Sequence, residues 1–427
     1  MLLALLATAL AGRQDSGAPV ALVGARILPV SGPPIESGIL VVHQGVIAHV
    51  GPLDSTPVPA GAEVHDVSGR VIVPGLVDTH SHIGSVEGGD RSEPIQPSVR
   101  VLDSIDVLDP SIERARAGGV TTVNIMPGSG HLLSGQTVYL KLRPGNTIEE
   151  LAVRNPDGSV AGGIKMANGT NSRRDPPFPG TRAKSAALVR ARYVAAQEYA
   201  RKRADPDPEK RPERDLALEA LVEALEGKRI VHHHTHRHDD VLTVLRLREE
   251  FGLRVVLHHV SDAWKVADEI AHAGVPSSLI VIDSPGGKLE ARDMRWENAR
   301  ALVEAGAEIA FHTDDWITDS RLFLRSAALA VRAGLSREKA LEALTLAPAR
   351  MLDLGERAGS LEVGKDADFV VLDGDPFSIY THVQETWVEG VKVFDRSAPH
   401  DQLISVGGWG AGSPRAPRCC EEEDEDR

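Results

Sequence analysis

The pattern of apolar and polar positions changes twice along this chain of 427 residues. Residues 21–67 contain short stretches of alternating apolar and polar residues, broken by turn residues such as those at 31–34. Residues 71–354 instead alternate apolar, strand-like runs with longer amphipathic stretches, and short strand-like runs return at 367–372 and 386–394. We therefore expect a small antiparallel sheet, then a repeating strand–helix region, then a second group of short strands.

The central region contains eight candidate strands. They lie at residues 71–79, 120–126, 137–141, 163–166, 229–234, 254–259, 279–283 and 308–313. Eight strands with intervening helices over roughly 280 residues fit a (β/α)8 TIM barrel, whose typical length is about 250 residues. Because β-rich segments flank this region on both sides, we predict an α/β protein in which the two chain ends build one composite β-sandwich side domain.

The predicted organisation has four parts, which are a leader (1–17), the β-sandwich domain (18–68 and 355–398), the barrel (69–354) and an extension with an acidic tail (399–427). The leader begins with an apolar run that is too short to span a bilayer and is typical of a signal-peptide core, although the usual basic residue is missing. Export to the periplasm or the cell exterior follows if the leader is genuine. A misassigned start or a truncated leader would instead indicate a cytoplasmic protein. No other segment is apolar enough to span a membrane.

Composition narrows the classes of function. Hydrophobic residues make up 42% and charged residues 25% of the chain, as in ordinary soluble globular proteins. A formal net charge of −14 argues against a nucleic-acid-binding protein, which should carry a basic face. The only cysteines, Cys419 and Cys420, are adjacent and precede the acidic tail, so they fit neither a disulfide framework nor a zinc finger. Any bound metal must therefore be held by nitrogen and oxygen ligands.

Candidate metal ligands follow the ends of several predicted strands. His80 and His82 come after an apolar strand and a Pro-Gly corner, and residues i and i+2 of an extended strand point to the same side. The other candidates at strand ends are Lys165, His234 with His236, His258 with His259, and Asp314. The active site of a barrel lies at the carboxyl ends of its strands, so these side chains are expected to converge. Nitrogen ligands with one carboxylate are typical of zinc or a similar cation, not of calcium or magnesium.

Six motifs follow one another along the chain after residue 20. They are Pro-Gly-Leu-Val-Asp-Thr-His-Ser-His at 74–82, Gly-Ile-Lys-Met-Ala at 163–167, His-Thr-His-Arg at 234–237, His259 with Ser261 and Asp262, His-Thr-Asp at 312–314, and a closing stretch at 345–376 that includes Gly-Lys-Asp-Ala-Asp at 364–368. Their sequence and order resemble the amidohydrolase superfamily, in its imidazolonepropionase-like and prolidase-like branch. The resemblance implies a barrel with a composite β-sandwich, a centre of one or two divalent metal ions such as Zn²⁺, and hydrolysis of carbon–nitrogen bonds.

The resemblance also implies a set of metal ligands. His80 and His82 would bind the more buried metal ion, and His234 and His259 would be further ligands. Asp314 would be a ligand as well as the catalytic acid and base. The alternative for the histidines is an ordinary place in the core or a loop, and the alternative for Asp314 is a helix cap.

For several further residues, more than one role is possible. Lys165 corresponds to a lysine that is carboxylated in related enzymes, where the carbamate bridges two metal ions; the alternative is a structural salt bridge. His236 and Arg237 would line the site and hold a substrate carboxylate or an oxyanion. His131 lies in a glycine-containing segment that forms either a substrate loop or a simple turn. Thr170 is a departure, because the family often has Gly-Glu-Asn where this chain has Gly-Thr-Asn, so any role of that glutamate is expected to be absent.

Three functions stay open. The first is hydrolysis of a cyclic amide or a related small substrate, in which metal-bound hydroxide attacks the carbonyl group and Asp314 passes a proton to the departing nitrogen. The second is a metallo-dipeptidase or carboxypeptidase that acts on short peptides. The third, which we favour least, is a barrel without catalytic activity that serves as a binding protein. The expected partners are small molecules or short peptides, not nucleic acids, and the sequence is compatible with a homo-oligomer.

Overall fold

The computed structural model describes residues 17–86, 89–90, 92–280, 288–315 and 317–408. The apolar run of the predicted leader, both cysteines and the acidic tail lie outside these ranges, so the leader and the export that depends on it stay predictions. The seventh predicted strand also runs into undescribed residues after position 280. None of the helices in the described part of the chain is long and apolar enough to cross a bilayer.

Strands dominate the two ends of the described chain, and strands alternate with helices in the middle. The strands are β1 (Val20–Ile27), β2 (Ile35–His43), β3 (Val46–Pro52), β4 (Glu63–Asp66), β5 (Val71–Pro74), β6 (Leu76–Ser81), β7 (Val120–Ile125), β8 (Leu133–Gln136), β9 (Val138–Lys141), β10 (Ile164–Ala167), β11 (Val231–Thr235), β12 (Val255–His259), β13 (Ser277–Ile280), β14 (Ile309–His312), β15 (Phe369–Leu372), β16 (Val383–Val388) and β17 (Val391–Asp395). The α-helices are α1 (Pro110–Ala117), α2 (Ile148–Leu151), α3 (Arg182–Arg203), α4 (Leu216–Leu225), α5 (His238–Phe251), α6 (Ala267–Ala273), α7 (Asn298–Glu304), α8 (Phe323–Arg332), α9 (Arg337–Glu342), α10 (Leu346–Met351) and α11 (Pro399–Val406). Short 3-10 helices lie at Val101–Asp103, Pro208–Lys210, Ala263–Lys265, Leu289–Ala291 and Ser320–Leu322.

Both chain ends contribute strands to one mixed sheet of eight strands. Its order is β17-β16-β15-β5-β1-β2-β3, and β4 also pairs with β1. The two ends meet where β15 runs antiparallel to β5, starting with Phe369 opposite Pro74. Apolar side chains from both ends, including Leu22, Ile72 and Trp387, pack in one buried cluster. The two ends are therefore joined by strand pairing, while a sandwich of two facing sheets and the predicted domain bounds stay predictions.

The central strands form two separate sheets. In the first, of order β14-β13-β12-β11-β10-β8, strands β10 to β14 run parallel and β8 runs antiparallel to β10. In the second, of order β6-β7-β9, β6 and β7 are parallel and β9 is antiparallel to β7. The sheets meet near the carboxyl ends of β6 and β14, where the Asp314 N–H donates to the His80 carbonyl at 2.9 Å. Closure of the two sheets into one barrel stays a prediction.

The third predicted strand, 137–141, does not run parallel to its neighbour as a strand of a (β/α)8 barrel should. The chain from Leu133 to Lys141 forms two strands, β8 and β9, which pair antiparallel with β10 and β7. Gly135 has a φ of +127°, and a Cβ added there would lie 2.4 Å from the carbonyl oxygen of Val99, so the backbones approach too closely for a side chain. Because side chains alternate in the same way along parallel and antiparallel strands, the apolar pattern alone does not determine direction.

A large buried cluster joins the central strands to the helices. It includes Val244 of α5, Leu257 of β12, Leu302 of α7 and Phe311 of β14. Helix α5 ends at Gly252, whose φ of 67° is the left-handed conformation that glycine adopts without strain at helix ends. The helices are thus fixed by packing on the strands, and the strand ends are held in place for the polar residues that follow them.

Lys141 of β9 connects the second central sheet to the closing motif of the sequence. Its side chain is fully buried, and its Nζ lies 3.1 Å from Asp366 Oδ2 and in direct contact with Asp368. The Asp368 carboxylate also accepts the N–H of Glu389 at 2.9 Å. The acidic residues of this motif therefore act in the structure as buried partners of a lysine that is more than 200 residues away.

We expect Lys141→Met to destabilise the fold by about 3–5 kcal/mol, because it leaves the Asp368 carboxylate buried without its cation and Asp366 paired with the half-exposed Arg357. Urea unfolding followed by circular dichroism measures the loss. The control is Arg190→Met, which removes an exposed pair with Glu250 and should cost no more than about 1 kcal/mol. Equal stability of the two variants would contradict this account of the closing motif.

Candidate functional site

The carboxyl ends of five central strands meet in one buried region. His80 belongs to β6, Lys165 to β10, His234 to β11, His259 to β12, and Asp314 follows β14. Both central sheets contribute, because β6 lies in one and the other four strands lie in the other. These five side chains converge: each lies within a few ångströms of at least one of the others.

The first group of ligand atoms comprises His80, His82 and Asp314. His80 Nε2 lies 3.3 Å, and His82 Nε2 3.0 Å, from Asp314 Oδ1. His82 Nδ1 lies 2.8 Å from the carbonyl oxygen of Met126, so Nδ1 carries the proton and donates it. Nε2 is then the ring nitrogen that faces the carboxylate, and a proton or a bound cation between the two atoms would pair with both.

The second group comprises His234, His236 and His259, whose ligand atoms lie within 4.8 Å of one another. The ring centroid of His234 lies 4.3 Å from that of His259 and 4.7 Å from that of His236. Both ring nitrogens of His234 are buried without a hydrogen-bond partner among the described residues, as are Nε2 of His236 and Nε2 of His259. Such orphaned nitrogens fit a cation that accepts their lone pairs.

Burial keeps these rings neutral. It lowers the pKa of His234 and of His259 well below the ordinary value, with further lowering by neighbouring positive charges. For His236, burial and then the ammonium group of Lys288 lower the pKa to about 4. Neutral imidazole is the form that binds metal ions, so these residues are ready ligands at neutral pH.

Asp314 lies between the two groups. Its Oδ1 contacts the first group, and its Oδ2 is 3.9 Å from His259 Nδ1 in the second. Burial alone would raise the pKa of Asp314, but contact with His82 and the positive charges of its surroundings lower it below the ordinary value. The carboxylate is therefore ionised at neutral pH. It faces imidazoles, whereas its neighbour Asp315 accepts the N–H of Ser320 at 3.0 Å.

Lys165 is fully buried beside the first group. Its Nζ lies 3.0 Å from His80 Nε2 and 2.9 Å from Met126 Sδ. Burial lowers the pKa of Lys165 to about 7, so much of the amine is neutral at physiological pH. Neither of these contacts is a carboxylate, which argues against the alternative of a structural salt bridge.

A third group of possible ligand atoms lies next to the first. The sequence did not predict that His312 belongs to such a group. His258 and His312 place ligand atoms within 4.8 Å of one another and of His80. His312 is held by Ser278 Oγ at 2.8 Å, and His258 Nε2 by His232 Nδ1 at 3.0 Å. The signal for His312 is its place as the last residue of β14, where alternation points it to the same side as Ala310 and into the strand-end region.

Backbone strain is concentrated at the same place. His259 has a φ of 69°, Val260 of 41° and Asp314 of 50°, all in the left-handed region that residues with a side chain rarely adopt. Such a conformation costs on the order of 1–3 kcal/mol and persists where the surrounding structure requires it. Here it turns His259 and Asp314 toward each other at the ends of β12 and β14.

Two predicted substrate contacts are not among the three ligand groups. Arg237 precedes α5 and pairs with Asp239, with Nη2 2.8 Å from Oδ2. His131 is buried, and its ring centroid lies 5.6 Å from that of Phe178. Their predicted roles in substrate binding stay predictions.

The chain is similar in sequence and in structure to known amidohydrolases. A model described as "Amidohydrolase family" matches residues 215–394. The amidohydrolase from Thermotoga maritima MSB8 has a solved structure with a TM-score of 0.82 and 33% identity, over 88% of this chain and 100% of that one. An imidazolonepropionase of Deinococcus radiodurans is 28% identical over 80% of this chain and 86% of its own length. The amidohydrolase tasK of Hapsidospora irregularis is 29% identical over 85% of this chain, which spans 41% of that relative.

We expect His234→Ala to bind zinc more weakly than the unaltered protein by more than about 10-fold, the lower limit for loss of an outer partner of a metal ligand. Competition with a fluorescent zinc chelator measures the affinity, and elemental analysis gives zinc per chain. His238→Ala is the matched control, since His238 is half-exposed and pairs with Asp262. Zinc affinity that is unchanged in His234→Ala would contradict a cation in the second group.

Proposed function

This chain belongs to the amidohydrolase superfamily and is a hydrolase that acts on carbon–nitrogen bonds, and from this premise we propose that it uses one or two zinc ions to hydrolyse an amide-type bond in a small, non-peptide substrate. The observation that carries the proposal is the place of Asp314 between two groups of buried imidazoles. The imidazolonepropionase relative, matched over most of its length, supports a small substrate.

The donor set assigns the cation positions in this proposal. His80, His82 and Asp314 would hold one ion, and His234 with His259 would hold a second, with His236 as a further nitrogen donor. Bound zinc supplies Lewis acidity, which polarises a substrate oxygen and makes water more acidic. Nitrogen donors with a single carboxylate suit zinc better than magnesium or calcium.

Asp314 is the proton carrier in this proposal. Because its carboxylate is ionised at neutral pH, Oδ1 or Oδ2 can accept a proton from the attacking water. The same atom can then pass that proton to the nitrogen that leaves when the carbon–nitrogen bond breaks. The backbone N–H of Asp314 donates to the His80 carbonyl at 2.9 Å, which fixes the main chain that carries this carboxylate.

Lys165 is the proposed site of a carbamate. The neutral amine attacks carbon dioxide, a carbon–nitrogen bond forms, and one proton leaves to solvent, so the side chain changes from a potential cation to an anion. A pKa of about 7 favours this reaction at neutral pH. The resulting carboxylate would lie beside His80 and would supply an oxygen ligand to a cation held there.

A closed barrel is part of the same proposal. The two central sheets come together through the Asp314–His80 backbone bond and through the Asp78 carboxylate of β6, which accepts the N–H of Thr313, the residue after β14, at 3.2 Å. Closure would surround Asp314 with strand ends and exclude bulk water, which strengthens every charge interaction in the site.

The test is a panel of ring amides (hydantoin, dihydrouracil and caprolactam) beside dipeptides such as alanylproline, with turnover followed by NMR. We expect hydrolysis of at least one ring amide, loss of activity with 1,10-phenanthroline and recovery with zinc. Asp314→Asn should lower kcat by about 10²- to 10⁴-fold, the usual contribution of a positioned acid–base group. Asp353→Asn, at an exposed residue paired with Arg254, is the matched control.

Each alternative has its own outcome. Hydrolysis of dipeptides without turnover of ring amides would replace the proposed substrate class by the metallo-dipeptidase alternative. Full activity in Asp314→Asn, or in the presence of the chelator, would contradict the proposed chemistry itself.

A further inference from the structure

We propose that Glu290 is a specificity-determining residue whose carboxylate binds a positively charged nitrogen group of the substrate; the inference rests on the proposed function, because it places this contact beside the same site. Glu290 belongs to the short helix Leu289–Ala291, and its side chain is 2% exposed. None of the sequence motifs includes it.

The loop that follows Lys165 holds this carboxylate in place. Glu290 Oε2 accepts the N–H of Thr170 at 2.9 Å. Gly169 has a φ of +77°, and a Cβ added there would lie 2.6 Å from Oε2, so a larger residue would displace the carboxylate. The loop therefore provides both a donor and the space that the carboxylate occupies.

One carboxylate oxygen is left over. Glu290 Oε1 is buried and has no hydrogen-bond partner among the described residues. A buried, unpaired oxygen of a carboxylate is destabilising, so its presence points to a ligand that donates to it.

The surrounding charges favour a cationic ligand. Arg182 Nη2 lies 3.5 Å from Glu290 Oε2, but Arg182 Nε already donates to both oxygens of Asp240, at 2.8 and 3.0 Å. Two buried carboxylates thus share one guanidinium, and the ammonium group of Lys288, two positions before Glu290, is exposed. An ammonium or amidinium group on the substrate would supply a buried positive charge to the unpaired Oε1.

Glu290 lies next to the second ligand group. The Asn168 N–H donates to the His234 carbonyl at 3.2 Å, which joins the loop that contains Thr170 to β11. Glu290 is also close enough to His236 for its negative charge to oppose the lowering of the His236 pKa. Nε2 of His236 is also buried and has no partner among the described residues.

Glu290 places a carboxylate beside Thr170, while the expectation drawn from Thr170, that any role of the family's glutamate is absent, stays a prediction. The chain lacks the glutamate that the resembling family often has at position 170, yet a carboxylate accepts the N–H of Thr170 from another loop, 120 residues away. A carboxylate is therefore present at this place, supplied by a different segment.

The test uses two lactams that differ by one charge: α-amino-ε-caprolactam, which is protonated at pH 7, and ε-caprolactam, which is neutral. Isothermal titration calorimetry gives the Kd of each for the zinc-loaded protein. We expect the amino lactam to bind about 10- to 100-fold tighter, as for a hydrogen bond to a charged group. In Glu290→Gln, which keeps an acceptor for Thr170, the ratio should fall to near one.

The controls separate recognition from folding. Glu250→Gln makes the same change in an exposed glutamate and should keep the ratio of the unaltered protein. If Glu290→Gln does not fold, N-acetylation of the amino lactam removes the same charge from the ligand, and binding to the unaltered protein should weaken to the level of ε-caprolactam.

Three results overturn the proposal: no preference for the amino lactam, a preference that survives in Glu290→Gln or after N-acetylation, or no binding of either lactam. Hydrolysis is not needed for any of them. A preference without turnover of ring amides would support Glu290 as a cation-binding residue and reject the proposed substrate class. Turnover of ring amides without a preference would support the substrate class and reject the role of Glu290.

Discussion

Buried imidazole nitrogens without hydrogen-bond partners are destabilising, and the region around Asp314 contains several of them. His234 has two, and His236, His258 and His259 have one each among the described residues. Each unpaired group costs about 1–3 kcal/mol in a protein interior. Because burial keeps these rings neutral, protonation does not supply the missing positive charge. A cation beside Asp314 would pair with these lone pairs and with the carboxylate at once.

The scaffold is arranged to hold these groups in place. Strained backbone at His259 and Asp314 turns both side chains toward the centre. Hydrogen bonds from the outer side fix the rings, as Ser261 does for His236 and Ser278 does for His312. Preorganisation of this kind lets a site bind a cation and a substrate without reorganising.

Local sequence pattern accounts for much of the site. The predicted candidates His80, His82 and Asp314 lie within one group of ligand atoms, because strand alternation and the position of strand ends are local properties. His234 and His259 lie in the second group for the same reason. The roles of these residues as ligands are still proposals, but their convergence follows from the fold.

Contacts between residues that are far apart in the sequence could not be predicted from the local pattern. The direction of β8 and β9 depends on which strands they pair with, and the apolar pattern is the same for either direction. The contact of Glu290 with Thr170 joins residues 120 positions apart, and neither residue belongs to a metal-binding pattern. Likewise, Lys141 lies 227 positions along the chain from its buried partner Asp368 in the closing motif.

The most direct measurement is a crystal structure of the zinc-loaded protein, with anomalous diffraction collected at the zinc edge. The account predicts anomalous density about 2.0–2.2 Å from His80, His82 and Asp314, a second peak at His234 and His259 in the two-metal case, and extended density on Lys165 for the carbamate. Zinc bound elsewhere, with none within ligand distance of Asp314, would contradict it.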